Sequence, residues 1–222
     1  MIERPLFEWD WVTRNLDVIW DKLGEHVWLT FLAVAIGLAI ALPLGILAHR
    51  RKRLYPPIAG TAGVIYTIPS LALFAMLLPF TGLSTTTAEI GLVGYTQFIL
   101  IRNIVTGLEG VPADAKEAAL GMGYTPRQLL WKVELPLAMP AIIAGVRIAT
   151  VSTIGLVTVT ILIGKGGFGH ILFQLGFRRF DNTPMIVGAV LSVGLAVAAD
   201  ALIVLAQRFL TPWARGRRTV GV

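Results

Sequence analysis

The sequence contains no cysteine and only three histidines, His26, His49 and His170, set far apart along 222 residues. That excludes a disulfide framework, a thiolate metal site and a cysteine nucleophile. It also leaves too few ligands for a histidine-rich centre, so no metal is expected. Charge is scarce as well: 14% of the residues are Asp, Glu, Lys or Arg, against about a quarter in soluble domains. With 55% of residues hydrophobic, neither a water-soluble enzyme nor a disordered chain fits. There is no G-x-x-x-x-G-K-[ST] phosphate loop, no H-E-x-x-H pair and no Ser/His/Asp set that can be placed. No catalytic residue is therefore expected, and no ATPase site.

What the chain has instead is long uncharged runs. Residues 27–48 and 54–88 contain no Asp, Glu, Lys or Arg, and each exceeds the roughly 20 apolar residues that cross a ~30 Å hydrocarbon core. The expected spans are about 27–48, 58–80, 89–108, 137–164 and 184–207. The third carries Arg102, the fourth Arg147 and the fifth Asp200. Backbone groups in lipid must be satisfied within their own segment, which selects helices. The expectation is an all-α integral membrane protein with about five transmembrane helices.

Charge position gives the orientation. Segment 1–26 holds six acidic residues against three basic ones, whereas the next loop carries Arg50, Arg51, Lys52 and Arg53. Loop 109–136 adds Lys116, Arg127 and Lys132, with Arg102 at its edge, and tail 211–222 with Arg208 beside it adds Arg215, Arg217 and Arg218. With the N-terminus outside, twelve basic residues lie on the cytoplasmic side and six on the other, the bias that sets membrane topology. The expectation is N-out and C-in, multi-pass, in the plasma or inner membrane. The formal charge of +6 then belongs to cytoplasmic loops, not to a nucleic-acid surface. Segment 1–26 is too acidic for the n-region of a signal peptide. Its Phe7, Trp9, Trp11 and Trp20 suit an amphipathic segment at the outer interface.

The loop between the third and fourth spans has internal punctuation. Pro112 suits a helix start, and Asp114 and Glu117 place negative charge at the same end. Gly121 and Gly123 suit its termination. Thr125, Pro126 and Gln128 have the spacing of an N-cap, first turn and capping box. The loop reads as helix, glycine turn, helix. A DNA-reading helix-turn-helix is excluded by context, since about 25 residues between membrane spans supply no soluble core behind a recognition helix. Ala118, Ala119, Leu120, Met122, Tyr124, Leu129, Leu130 and Trp131 instead suit docking into a partner's groove.

Within this loop, Glu117-Ala118-Ala119, Gly123, Val133 and Leu135-Pro136 resemble the cytoplasmic signature of permease subunits from binding-protein-dependent ABC importers. Val133 stands where isoleucine is commoner. Beyond the loop, Tyr66-Thr67-Ile68-Pro69-Ser70-Leu71-Ala72-Leu73, Gly145-Val146-Arg147, Gly164-Lys165-Gly166-Gly167-Phe168-Gly169 and Asp200 resemble the quaternary-amine, osmoprotectant branch. The resemblance implies a type I importer permease core that forms the pathway for a compatible solute such as glycine betaine, choline, carnitine or a proline-type osmolyte. It implies two ABC ATPase subunits holding ATP and Mg, a second permease subunit (identical or similar) and an extracytoplasmic solute-binding protein. Glu117, Ala118, Ala119 and Gly123 would lie in the element that couples to the ATPase. An amino-acid or methionine importer is the alternative within the class; a non-transporting scaffold or sensor is the alternative outside it.

Several residues within or beside the spans invite functional readings. Arg147 and Asp200 fall ~15 Å and ~12 Å from the cytoplasmic ends of their spans at 1.5 Å per residue, so an intramembrane ion pair is expected. Gly164, Gly166 and Gly169 formally satisfy G-x-G-x-x-G, but a membrane span precedes them where a dinucleotide site needs a strand. With Gly167 they read as a sharp turn near an outer gate. Tyr66, Phe74 and Tyr95 offer ring faces for a quaternary ammonium. Pro69-Ser70 is placed beside the pathway, and Pro43, Pro69 and Pro79 are candidate kinks.

Overall fold

The computed structural model describes residues 6–213. The basic tail residues Arg215, Arg217 and Arg218, together with Glu3 and Arg4, lie outside them. Among the described residues every regular element is helical: α1 (Trp9–Arg14), α2 (Leu16–Arg50), α3 (Tyr55–Thr67), α4 (Ser70–Thr81), α5 (Thr85–Glu109), α6 (Ala113–Gly121), α7 (Pro126–Leu129), α8 (Leu135–Val159) and α9 (Asn182–Leu210), with short 3-10 and π turns between them.

Helix α5 is the axis of the bundle. It packs against α2, α3, α4 and α8, and fourteen of its 25 residues are buried. Its start is set by Ser84, whose hydroxyl accepts from the Thr87 N–H at 3.2 Å, a serine N-cap. Helix α2 meets it along a stripe of small residues, Ala33, Gly37, Ala41, Gly45 and Ala48, all buried. The spacing of three and four puts them on one face, and the small side chains let the two backbones approach closely. At Gly45 a Cβ would stand 2.6 Å from the Ile104 side chain, and at Gly37 one would stand 2.1 Å from Thr96 Oγ1. On the other flank, a Cβ at Gly145 of α8 would stand 2.5 Å from Asn103.

The run 58–80, expected as one span, is two helices. Chain direction turns by 98° between α3 and α4. Pro69 disfavours helical geometry at the residue before it, and Ile68 is accordingly extended at φ −66°, ψ 127°. Residues 27–48 lie within a longer helix: α2 already begins at Leu16, so segment 1–26 is not separated from the first span by a break at residue 26. Among the described residues, three helical runs are long and apolar enough to cross a membrane, namely α2, Pro126–Ile163 and α9, with α3 and α4 a fourth if taken together. Helix α5 falls short of that apolarity because of Glu89, Gln97, Arg102 and Asn103.

Helix α9 packs on α8 and on the π turn His170–Gly176. Its buried residues, Thr183, Pro184, Val187 and Gly188, are confined to its first two turns, while Val190, Val193, Val197, Leu202 and Leu205 face outward. Around its start, Phe168, Ile171 and Val187 form a small core with Phe7, Trp11, Val12, Ile19 and Leu23. Half of the N-terminal aromatics therefore pack inward, while Trp9 and Trp20 stay exposed.

The close α2–α5 contact gives a stability prediction. Gly45→Leu is expected to cost about 1–3 kcal/mol as overpacking, lowering the apparent melting temperature in detergent by roughly 2–4 °C per kcal/mol. Gly24→Leu, on the same helix with nothing within 4 Å of the new Cβ, is expected to leave it unchanged.

Candidate coupling loop and translocation pathway

The loop between α5 and α8 folds as its punctuation suggests. Helix α6 follows Pro112, with Asp114 in its first turn. The chain turns out of it at Gly123, which sits in the left-handed region at φ +81°, where a side chain would be strained. Thr125 and Gln128 form a reciprocal capping box that opens α7, with Thr125 N–H donating to Gln128 Oε1 at 2.8 Å. Val133 lies in the π turn Leu130–Glu134, and Leu135-Pro136 begins α8. Ala119 is buried, whereas Glu117, Ala118 and Gly123 are exposed. Leu120, Met122 and Trp131 are at least half exposed at 52%, 69% and 57%. The loop thus presents an apolar, small-residue surface that none of the described residues covers.

What holds this surface in place was not visible in the sequence. Glu134 is buried, and its Oε1 lies 3.3 Å from Lys116 Nζ and 3.7 Å from His49 Nε2. Lys116 also donates to the Leu108 carbonyl at 3.3 Å, and Arg50 donates to the Pro126 carbonyl at 3.1 Å. One carboxylate at the root of α8 therefore joins α6 to the end of α2. The available clue was a Glu lying between Val133 and Leu135, a charge set inside an apolar stretch.

Within the bundle, Arg147 and Asp200 meet as a bidentate pair, with Nε to Oδ1 and Nη2 to Oδ2 both at 2.8 Å. Two parallel bonds of this kind fix orientation as well as charge, and here they tie α8 to the outer helix α9. Each side chain is about one-third exposed.

The break between α3 and α4 opens a cavity of about 430 Å³ whose wall includes Tyr66, Pro69, Ser70, Tyr95, Ser152 and Thr153. The structure thus brings Tyr66, Pro69 and Ser70 to one place. The hydroxyls of Ser152 and Thr153 on α8 join them without having been singled out in the sequence. Tyr95 donates its hydroxyl to the Ile68 carbonyl, which satisfies a backbone group freed by the break. Phe74 does not reach this cavity: it is 1% exposed and packs where Gly91 leaves room on α5.

Gly164, Gly166 and Gly167 lie elsewhere: Gly166 and Gly167 sit against α2, while Gly164 is exposed. Gly164 and Gly167 have φ of +79° and +48°, and a Cβ on Gly167 would stand 2.5 Å from that of His26. The His26 ring is fully buried. Its Nδ1 accepts from the Phe168 N–H at 3.2 Å, and its Nε2 lies 3.0 Å from the Ile154 carbonyl, so these partners assign the ring proton to Nε2. Glu25 accepts from the Gly166 N–H at 3.3 Å. The glycines thus form a tight turn docked onto α2, and His26 is the residue that sequence reasoning passed over. His170, just beyond the turn, is held below its ordinary pKa by burial.

A helical bundle with a broken helix beside a polar cavity, and an exposed Glu-Ala-Ala helix clamped at one end, is the arrangement of a membrane permease subunit. Residues 33–212 match the family of binding-protein-dependent transport system inner membrane components, and the chain belongs to that family. It is 37% identical over 191 residues to a choline transport system permease protein of Bacillus subtilis (strain 168), covering 86% of this chain and 88% of the relative. It is also 37% identical over 193 residues to an osmoprotectant import permease protein of Salmonella typhimurium, covering 85% and 89%. Among solved structures, the fold is similar to that of an inward-facing methionine ABC transporter, with TM-score 0.82 and 24% identity, covering 89% of this chain and 98% of the other. The fold is that of type I ABC importer permeases. ATP hydrolysis in such systems belongs to a separate subunit.

The Arg147–Asp200 pair is tested by exchange. Arg147→Asp and Asp200→Arg are each expected to lower both the melting temperature and transport, because each leaves two like charges facing one another. The doubly exchanged protein is expected to recover part of both losses in melting curves and uptake assays. A double variant no better than either single variant contradicts a working pair.

Proposed function

We propose that this chain forms half of the translocation pathway of an ATP-driven importer for compatible solutes of the quaternary-amine type, such as glycine betaine, choline or carnitine. The observation that carries the coupling part of this reading is the exposed surface of α6 and the turn after it, Glu117, Ala118 and Gly123, with Ala119 buried beneath and the helix rooted in the bundle through Lys116 and Glu134. The substrate class is supported by the relatives, whose names specify choline or osmoprotectant transport. The methionine transporter supports the fold alone at 24% identity, so the amino-acid reading ranks second.

In this reading α5, enclosed by other helices rather than facing lipid, crosses the membrane with its polar residues shielded, and the five spans run N-out and C-in. Two permease subunits, identical or similar, face each other. Two ATPase subunits holding ATP and Mg dock on the α6 surfaces, and a solute-binding protein delivers from outside. Val133, Leu135 and Pro136 sit where α6 motion is passed to α8. The turn at Gly164, Gly166 and Gly167 caps the outer end of the pathway, while Tyr66, Pro69 and Ser70 line its middle. Small alanines on α6 allow close approach to the motor, and the left-handed Gly123 sets the angle at which it docks. A solute reaching the cavity at the helix break meets hydroxyls and ring faces but no acidic side chain among the lining residues.

Reconstitution with the ATPase and binding protein in proteoliposomes tests the reading. Wild-type protein is expected to import labelled glycine betaine or choline in preference to methionine. Glu117→Ala and Gly123→Val are expected to reduce substrate-stimulated ATP hydrolysis by roughly 5–150-fold, the range of a 1–3 kcal/mol coupling energy, with insertion in the membrane unchanged. Normal stimulation in both variants overturns the coupling role.

A further inference from the structure

The polar cavity at the helix break does not end at Tyr66. A second cavity of about 330 Å³ begins on the same ring and is walled by Phe98, Arg102, Asn103 and Thr106, with Ile99 common to both. Along α5, Tyr95, Phe98, Arg102 and Thr106 follow one another at spacings of three, four and four, which puts them on one face of the helix. Their side chains form a continuous ladder. The Tyr66 ring lies 5.8 Å from Tyr95 edge-on and 5.0 Å from Phe98 in a stack, and the Arg102 guanidinium carbon stands 5.2 Å over Phe98.

The charges of this wall are one-sided. Among the described residues no Asp or Glu lines either cavity, and Arg102 is the one ionised group on the shared surface. A cation at the Tyr66 end can be attracted only by ring faces and neutral oxygens, the environment that suits a quaternary ammonium with no proton to donate. An anion at the other end meets a guanidinium with several donors in a fixed plane. A solute with a single positive charge gains the first contact but stays near an uncompensated Arg102. A small zwitterion satisfies both ends. An arginine within a membrane-spanning helix is costly enough to expect such a use, and the structural alternative is a side chain extended toward headgroups.

We propose that Arg102 is a specificity-determining residue, receiving the carboxylate of a zwitterionic solute whose quaternary ammonium rests on Tyr66 and Tyr95. The permease thereby favours betaine-like zwitterions over cations such as choline. This rests on the osmoprotectant reading above and adds a selection step within the membrane.

The test is equilibrium dialysis of labelled glycine betaine and labelled choline against the permease–ATPase complex in nanodiscs, without the solute-binding protein. Wild-type complex is expected to bind glycine betaine more tightly than choline. Arg102→Gln is expected to weaken glycine betaine on the order of tenfold or more, the value of a hydrogen bond to a charged group, while choline binding holds or tightens. Arg102→Lys should restore part of the loss, and Tyr66→Leu should weaken both ligands. Arg102→Gln weakening both alike, or neither, overturns the proposal, as does a wild-type complex that binds neither solute. Failure of the osmoprotectant reading is seen separately, as a complete system with binding protein that imports neither compound.

Discussion

The Glu134 carboxylate is the point on which the placement of α6 depends. Helix α6 has only nine residues, too short to hold its shape in water by itself, and most of its surface is turned away from the bundle. Its attachment is the Lys116–Glu134 contact, supported by the Leu108 carbonyl and by His49 from α2. Lys116 thus joins an ion pair to the buried carboxylate with a hydrogen bond to a backbone carbonyl, and the two together fix the position of α6 against the bundle. Because Glu134 precedes α8 directly, any displacement of α6 bears on the root of the helix that carries Ser152, Thr153 and Arg147. Helix α6 and the cavity wall on α8 are one continuous piece of chain.

The bundle is closely packed along α5 and broken between α3 and α4. Small residues on α2 and α8 bring both helices close to α5, leaving few gaps for independent motion. At the opposite end of α2, His26 and Glu25 hold the glycine turn by three bonds to its backbone and to α8. Between these two fixed ends lies the interruption at Ile68-Pro69, where the continuous backbone ladder is given up and Tyr95 supplies the missing partner. Non-helical backbone at membrane depth is tolerated where it lines a cavity, which is its situation here.

Much of this was legible in the amino-acid sequence, for reasons that differ by element. The local structure of the loop between α5 and α8 was readable because caps and glycine turns are local: Thr125 and Gln128 are three residues apart, and Gly123 needs no distant partner to take a positive φ. Arg147 and Asp200 were readable because charges in apolar runs stand out and helical rise converts sequence position to depth. The bend at Pro69 was visible as a kink, but its 98° angle was not, since proline states only that the preceding residue leaves the helix. The Lys116–Glu134–His49 cluster and the His26 contacts were not readable at all. They join residues far apart in the chain, and an isolated histidine in an apolar stretch looks the same whether it is packed, exposed or structural. Phe74 failed in the opposite sense, as an aromatic whose ring was needed to fill the space left by Gly91.

Sidedness and contact of α6 decide the account most directly, and the absence of native cysteine makes the measurement clean. A single cysteine at the exposed position Leu120 (Leu120→Cys), in the assembled transporter, should react with a membrane-impermeant maleimide only from the cytoplasmic face. It should also cross-link to the ATPase subunit in a nucleotide-dependent manner. Labelling from the exterior, or a cysteine that labels from inside yet never cross-links to the ATPase, would contradict the proposal that this helix carries the motor's stroke into the bundle.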